Sequence, residues 1–193
     1  RDVAPSRGLG DVYKRQVGGG RLHHRRGVEG PQGSVPAGFI DRLPRLISVQ
    51  AEGCCPLNRA IETGKPWEPM AENTLADSIA VGVPRNPDKA LRAIRESDGV
   101  AVNVSDGEIL EAMRLLGRTQ GVFGEPAGAA GTAGVKKAVE LGLIPAGSTV
   151  VSIVTGNGLK DVQSGIQAAG EPMRVSPDMD ALLAAFAAQD IRP

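Results

Sequence analysis

The sequence predicts an α/β fold, a parallel sheet flanked by helices, and three observations carry that expectation. From residue 38 onward, short apolar or β-branched runs alternate with helix-start signals, the order that a parallel sheet with crossover helices imposes. Residues 149–154, Thr-Val-Val-Ser-Ile-Val, are β-branched at five of six positions, as a buried parallel strand requires. That run drops into Thr155-Gly156-Asn157-Gly158-Leu159-Lys160-Asp161, where two glycines let the backbone turn at the strand's carboxyl end. Open α/β sheets bind ligands at such ends.

The elements follow in order. Residues 46–50, Leu-Ile-Ser-Val-Gln, read as a short apolar strand ending at Ala51-Glu52-Gly53. Residues 54–61 read as a helix with Pro56 in its first turn, where the missing N–H costs nothing. A Gly/Pro-rich connector spans residues 63–69, and Leu75-Ala76-Asp77-Ser78-Ile79-Ala80-Val81-Gly82 gives way to Pro84-Arg85-Asn86-Pro87. Pro87-Asp88 opens a helix through Ile94-Arg95. Residues 99–104 read as the next strand, and Ser105-Asp106-Gly107-Glu108 is a capping box opening a helix over residues 109–116. After the turn Gly121-Val122-Phe123-Gly124, Glu125-Pro126 starts a helix rich in Gly and Ala that ends at Leu141-Gly142. Each internal glycine costs such a helix about 1 kcal/mol against alanine, so close packing on a sheet or a planar ligand must compensate. The tail from residue 171 has a Pro-rich turn and a helix capped by Asp178 or Asp180, with Leu182, Leu183 and Phe186 on the side expected to pack.

Composition narrows the function classes. The 193 residues are 41% hydrophobic, with no long apolar run and no secretory signal, which predicts a soluble cytoplasmic protein without membrane contact. The adjacent Cys54 and Cys55 have neither disulfide nor metal-motif spacing and read as small buried residues of a reducing compartment. The formal charge is zero, yet residues 1–37 carry a net +4 and the remainder a net −4. A basic, Gly-rich head would ordinarily suggest a nucleic-acid-binding arm. Here its sequence argues otherwise. Asp11-Val12-Tyr13-Lys14-Arg15-Gln16 is the translation of a transposon-end adapter, and such scars are set aside before fold reasoning. Residues 28–36 have neither helical nor strand periodicity, and one permitted coding of them, read one base later, gives Trp-Lys-Gly-Leu-Lys-Glu-Ala-Phe, a helix-like string. Residues 1–37 are therefore expected to be an adapter-derived, frameshifted and disordered segment. His23-His24 falls within it, and its i,i+1 spacing does not place both rings on one helix face for a metal.

The glycine loop at residues 156–161 has neither the spacing nor the terminal hydroxyl of a Walker A loop, and Asp161 stands where a Rossmann fingerprint needs its third glycine. A hydroxyl at a strand tip leaves two readings of Thr155: it satisfies a backbone group, or it meets a ligand.

Several strings in one order bear on that choice. Gln50-Ala51-Glu52-Gly53, Ala76-Asp77-Ser78-Ile79, Val81-Gly82, Pro84-Arg85, Arg95-Glu96-Ser97, Ser105-Asp106, Glu108-Ile109 and Gly124-Glu125-Pro126-Ala127 precede the Thr155–Asp161 loop, and together they resemble threonine synthases. The resemblance covers about four-fifths of the chain, from residue 38 to the end. It implies the incomplete large domain of a pyridoxal-phosphate (PLP) enzyme of fold type II, the tryptophan-synthase-β type, with residues 38–170 as the carboxyl-terminal part of the catalytic domain and 171–193 as a turn and packing helix. The implied reaction converts O-phospho-L-homoserine and water to L-threonine and phosphate. The implied partner is that small molecule rather than nucleic acid, in a parent enzyme that is a homodimer.

The resemblance also assigns roles. Thr155 hydrogen-bonds the pyridine nitrogen of the cofactor, a neutral hydroxyl suiting an unprotonated ring where an aspartate would stabilise a protonated one. Gly156 and Gly158 allow the loop to approach the ring, and Ala51 and Glu52 line its opposite edge. Glu125 either contacts the cofactor or merely complements the helix dipole. Arg85 and Lys160 either bind the substrate phosphate or form surface or interdomain ion pairs. The family's Schiff-base lysine motif surrounds none of the six lysines, Lys14, Lys65, Lys89, Lys136, Lys137 and Lys160, so no catalytic lysine is assigned. The readings that compete are a threonine/serine dehydratase or related fold type II enzyme, and a catalytically empty interaction module of the same fold.

Overall fold

The computed structural model describes residues 12–17, 43–170 and 172–188. Four parallel strands, β1 (Val12–Val17), β2 (Leu46–Ala51), β3 (Val100–Val104) and β4 (Thr149–Val151), form one sheet in the order β3-β2-β1-β4. Six helices are described: α1 (Pro56–Thr63), α2 (Pro87–Glu96), α3 (Asp106–Gln120), α4 (Pro126–Glu140), α5 (Val162–Ala169) and α6 (Met179–Ala188).

Alternation along β2 divides the two layers. Ile47, Val49 and Ala51 join the main core with Ala127, Ala129, Ala130 and Ala133 of α4, and α3 packs behind α4 through Ile109, Leu110 and Met113. On the other face Leu46 meets Ala93 and Ile94 of α2, while Ser48 and Gln50 meet α1. The small-residue helix behaves as its composition predicts. A Cβ on Gly134 would overlap the side chain of Val49, and one on Gly128 would crowd the backbone of Gly156, so glycine at both places lets α4 lie close to the sheet and to the loop after β4.

The helix starts stand where expected. Pro56 and Pro87 occupy the first turns of α1 and α2, and Ser105 with Glu108 forms a complete capping box on α3. The polar face of β2, read from sequence as part of an apolar strand, carries a buried network. Asn58 accepts from Ser48 Oγ at 2.6 Å and donates to the Val102 carbonyl at 3.0 Å and to Asn103 Oδ1 at 2.7 Å, while its N–H donates to Gln50 Oε1. Cys54 and Cys55 are free and buried, and burial pushes both thiols up from their ordinary pKa.

Three expectations need correction. The first 37 residues are not uniformly without regular structure, because Val12–Val17 form β1 between β2 and β4. That slot offers two rows of backbone N–H and C=O groups, and an extended segment satisfies both. The other residues of 1–37, including His23-His24, lie outside the described residues. Second, β4 stops at Val151 rather than running to residue 154 and is half-exposed rather than buried. Its described register with Val12, Tyr13 and Lys14 of β1 ends at Val151, so residues 152–154 lie beyond the described strand. Third, no residue of α6 is fully buried: of the three on the expected packing side, Leu183 is exposed while Leu182 and Phe186 are half-buried. Helix α5, in contrast, has no counterpart in the sequence reading.

Candidate functional site

The loop that follows β4 is built by assigning almost every residue a task. Gly156 lies against the carboxylate of Glu125, with no room for a Cβ, and its carbonyl accepts the Glu125 N–H at 2.9 Å. Asn157 bridges to Gly124, and its Oδ1 accepts the Leu159 N–H at 2.9 Å, capping a single 3-10 turn over Gly158–Lys160. Gly158 donates to the Phe123 carbonyl at 2.9 Å and lets the Phe123 ring sit against its Cα. Lys160 Nζ reaches both carboxylate oxygens of Glu125, at 3.2 and 2.9 Å. Asp161 accepts the Ser164 N–H at 3.0 Å and caps α5, and its hydrogen bonds to Ser164 hold its carboxyl below the usual range.

Two residues of the loop have no such task. Leu159 is 73% exposed. Thr155 is exposed, and its hydroxyl has no hydrogen-bond partner among the described residues. The backbone-capping reading of Thr155 therefore finds no support: a hydroxyl sits at the carboxyl end of the sheet, unengaged, on a loop whose neighbours are pinned.

Glu125 is the N-cap residue of α4, but its side chain makes no cap. It is buried, its side chain 8% exposed, and it turns to Lys160, whose side chain is 62% exposed. A buried carboxylate needs such a partner, because the cost of desolvating it unpaired runs to several kcal/mol, roughly. Of the two cations singled out in the sequence, Lys160 thus forms an ion pair within this chain, while Arg85 is exposed and has no ion pair among the described residues.

Ala51 and Glu52 belong to a different set of contacts. Ala51 is fully buried in the core, and its carbonyl accepts the Cys54 N–H. Glu52 is half-exposed, its N–H bonded to the Val104 carbonyl and its carboxylate to Lys137 Nζ at 3.2 Å. Lys137 also grips Glu108 at 2.9 Å. Burial pushes Glu108 up, but the Ser105 N–H, the Ser105 hydroxyl and the Lys137 ammonium outweigh it and hold the carboxyl below the usual range. Burial likewise pulls Lys137 down, and its hydrogen bonds to Glu108 and Glu52 outweigh that and raise it. The geometry therefore brings Gly156, the neighbour of Thr155 in sequence, against Glu125, and places Ala51 and Glu52 with the α3 cap and Lys137. Sequence reasoning missed Lys160 as the partner of Glu125. It also missed Asp161 as the cap of α5, although the Asp-x-x-Ser spacing at residues 161–164 carries that signal.

Comparison with known proteins adds a second kind of finding. The family model described as pyridoxal-phosphate dependent enzyme matches residues 32–156. The threonine synthase of Methanosarcina acetivorans is 46% identical over 147 residues, which are 75% of this chain and 36% of that protein. The threonine synthase of Methanocaldococcus jannaschii is 43% identical over 147 residues, with the same two shares. The chain thus spans about a third of the length of the curated relatives it matches. Among solved structures, the processed form of threonine deaminase isoform 2 from Solanum lycopersicum superposes with a TM-score of 0.59 over 95% of this chain and 44% of that one. Its 17% identity makes that a likeness of fold.

Proposed function

The chain belongs to the family of pyridoxal-phosphate dependent enzymes, and on that premise we propose that it is part of a threonine synthase that converts O-phospho-L-homoserine and water to L-threonine and phosphate. The observation that carries the site reading is the exposed hydroxyl of Thr155, without a hydrogen-bond partner among the described residues, on a loop whose Gly156, Asn157, Gly158, Lys160 and Asp161 are all engaged.

The residues present suit the ring-nitrogen side of the cofactor. A hydroxyl can donate to an unprotonated pyridine nitrogen without adding charge, and the nearby carboxylate of Glu125 is already neutralised by Lys160. Gly156 and Gly158 keep bulk away from the loop's inner face. When bound, the cofactor's conjugated ring draws electrons from the substrate carbon undergoing chemistry. Thr155 would hold the ring in one orientation through its nitrogen and, as a neutral donor, would leave that nitrogen unprotonated. The pinned backbone that follows Thr155 limits how far the hydroxyl can move. Proton transfer and the covalent anchor fall to a lysine outside the contexts present here, so the 193-residue chain alone is expected to form no threonine.

Complementation tests the assignment. The chain is combined with the portion of the Methanosarcina acetivorans relative that it does not match, and the mixture is supplied with O-phospho-L-homoserine or with threonine. Threonine and phosphate release from the first substrate is the expected result. Ammonia release from threonine would replace the proposal with a dehydratase, and no turnover of either substrate by a mixture that forms a stable complex would favour an interaction module. Threonine formation by the chain alone would overturn its expected inactivity.

A further inference from the structure

We infer that Glu125 and Lys160 form a positioning latch, which fixes the Thr155 loop to the amino end of α4 and keeps the adjacent carboxylate neutralised. The cofactor-side half of this inference rests on the proposed reading of Thr155; the mechanical half stands on geometry alone.

The described strand register ends at Val151, and Thr155 lies four residues beyond it. What holds it is a set of ties to residues 123–125. The Glu125 N–H donates to Gly156 O, the Gly158 N–H donates to Phe123 O, and Asn157 bridges to Gly124. The Glu125 side chain adds grips on both sides of the turn: its carboxylate lies against Gly156, immediately after Thr155, and its oxygens hold Lys160, five residues on. The buried carboxylate pairs with an ammonium from the far side of the turn, so the ion pair itself ties the loop to the amino end of α4.

The charge matters as much as the tether. A carboxylate freed beside a pyridine nitrogen would favour its protonated form, undoing what a neutral hydroxyl at Thr155 accomplishes. Lys160 therefore has a role that needs no contact with substrate or cofactor. It positions Thr155 and protects the ring's charge state through Glu125.

The test uses the full chain and the variants Lys160→Gln, Lys160→Arg, Glu125→Gln and the Glu125→Gln/Lys160→Gln pair. The first readout is amide hydrogen exchange in the absence of ligand at Glu125 and Gly158, whose N–H groups tie the loop to α4, with Glu52 and Ile109 as references. Lys160→Gln strands a buried anion and should speed exchange at Glu125 and Gly158 about tenfold, whereas Glu125→Gln removes the charge with the partner and should speed it only about threefold. The double variant should fall back to the Glu125→Gln rate, because the stranded anion is gone. Arginine, which keeps the cation, should restore wild-type exchange to within about twofold. An unchanged rate in Lys160→Gln, an arginine variant as loose as the glutamine one, or equal acceleration at Ile109 would each overturn the latch.

The second readout is the absorbance of pyridoxine 5′-phosphate added to the chain, which distinguishes a protonated from an unprotonated ring. Bound to Lys160→Gln it should move toward the protonated form, and in the double variant it should return. A bound ring whose absorbance is the same in all variants overturns the charge-protecting role. If the exchange pattern holds while wild type binds no pyridoxine 5′-phosphate, the reading of Thr155 as a cofactor contact fails and the latch stands.

Discussion

Replacing Thr155 with valine separates the two things a strand-tip hydroxyl can do. Valine keeps the β-branched shape and removes only the O–H. The hydroxyl has no partner among the described residues and is exposed, so the fold should lose almost nothing. Exposed substitutions of that kind stay within about 0.5 kcal/mol, which for a chain this long is a change in Tm of about 1–2 °C. Binding should respond differently. Losing a neutral hydrogen bond costs about 0.5–1.5 kcal/mol, and a ring nitrogen left without its donor adds to that, so a total near 1–2 kcal/mol is expected. That corresponds to a Kd for pyridoxine 5′-phosphate raised about five- to thirtyfold. Thr155→Ser retains the donor and should stay within about threefold, a spread of roughly 0.6 kcal/mol. The assays are thermal unfolding of each variant and fluorescence titration with pyridoxine 5′-phosphate. A valine variant that melts several degrees lower and binds as wild type would show that the hydroxyl serves the backbone, and the argument from its lack of partners would be wrong.

Three further outcomes follow from the packing and the ion network. Gly134→Ala should destabilise the protein by about 1–2 kcal/mol despite alanine's better helix propensity, since overlap with the fully buried Val49 outweighs it; urea unfolding measures the sign. Asn58→Ala should cost about 3 kcal/mol and lower Tm by roughly 6–12 °C, because it strands the Ser48 hydroxyl, the Val102 carbonyl and the Asn103 amide; an effect below about 1 kcal/mol in the same unfolding experiment would show that the network is replaceable by water. Glu108→Gln keeps an oxygen acceptor for the Ser105 N–H but loses the ion pair to Lys137, and should cost about 0.5 kcal/mol at neutral pH, since the carboxylate is 37% exposed and the pair is partly screened. The Glu108 pKa is depressed in the folded state, so its contribution is fully present above the unfolded carboxylate value and vanishes as pH falls through the folded one; wild type and variant should converge in Tm in acid. The raised pKa of Lys137 works the opposite way, its contribution being present below the unfolded lysine value and lost only as pH rises through the folded one.

Local chemistry made most elements legible. Pro56, Pro87 and Pro126 mark helix starts, Ser105 and Glu108 announce a cap, and the run of Gly and Ala from 127 to 134 announces a helix pressed against its neighbours. What failed to show was whatever depends on a distant partner. β4 is shorter than its β-branched run because a strand extends only as far as its ladder, and its ladder is made by Val12, Tyr13 and Lys14, in a segment whose sequence argued against structure. Ser48 and Gln50 looked like interruptions in an apolar strand because Asn58, which satisfies them, lies on the next helix. Thr155 stood out in the sequence from its place at a strand tip, whereas the Glu125–Lys160 pair spans 35 residues and no spacing rule links them.

The loop also changes how the Gly-Leu-Lys-Asp string should be weighed. From sequence, its presence after Thr-Gly favours a threonine synthase over a dehydratase. In the structure Gly158 accommodates Phe123, Lys160 holds Glu125 and Asp161 caps α5, so three of the four residues shape the loop. Their chemistry bears on where Thr155 stands, not on which substrate lies above it. A dehydratase with the same loop contacts would place a hydroxyl at the same point. The substrate assignment therefore draws its support from the identity shared with threonine synthases across three-quarters of the chain, and the loop draws its own from the free hydroxyl. Substitutions at Gly158, Lys160 or Asp161 should accordingly weaken catalysis by the complemented enzyme on O-phospho-L-homoserine without raising any activity toward threonine. A variant there that exchanged one activity for the other would show that the string touches substrate after all.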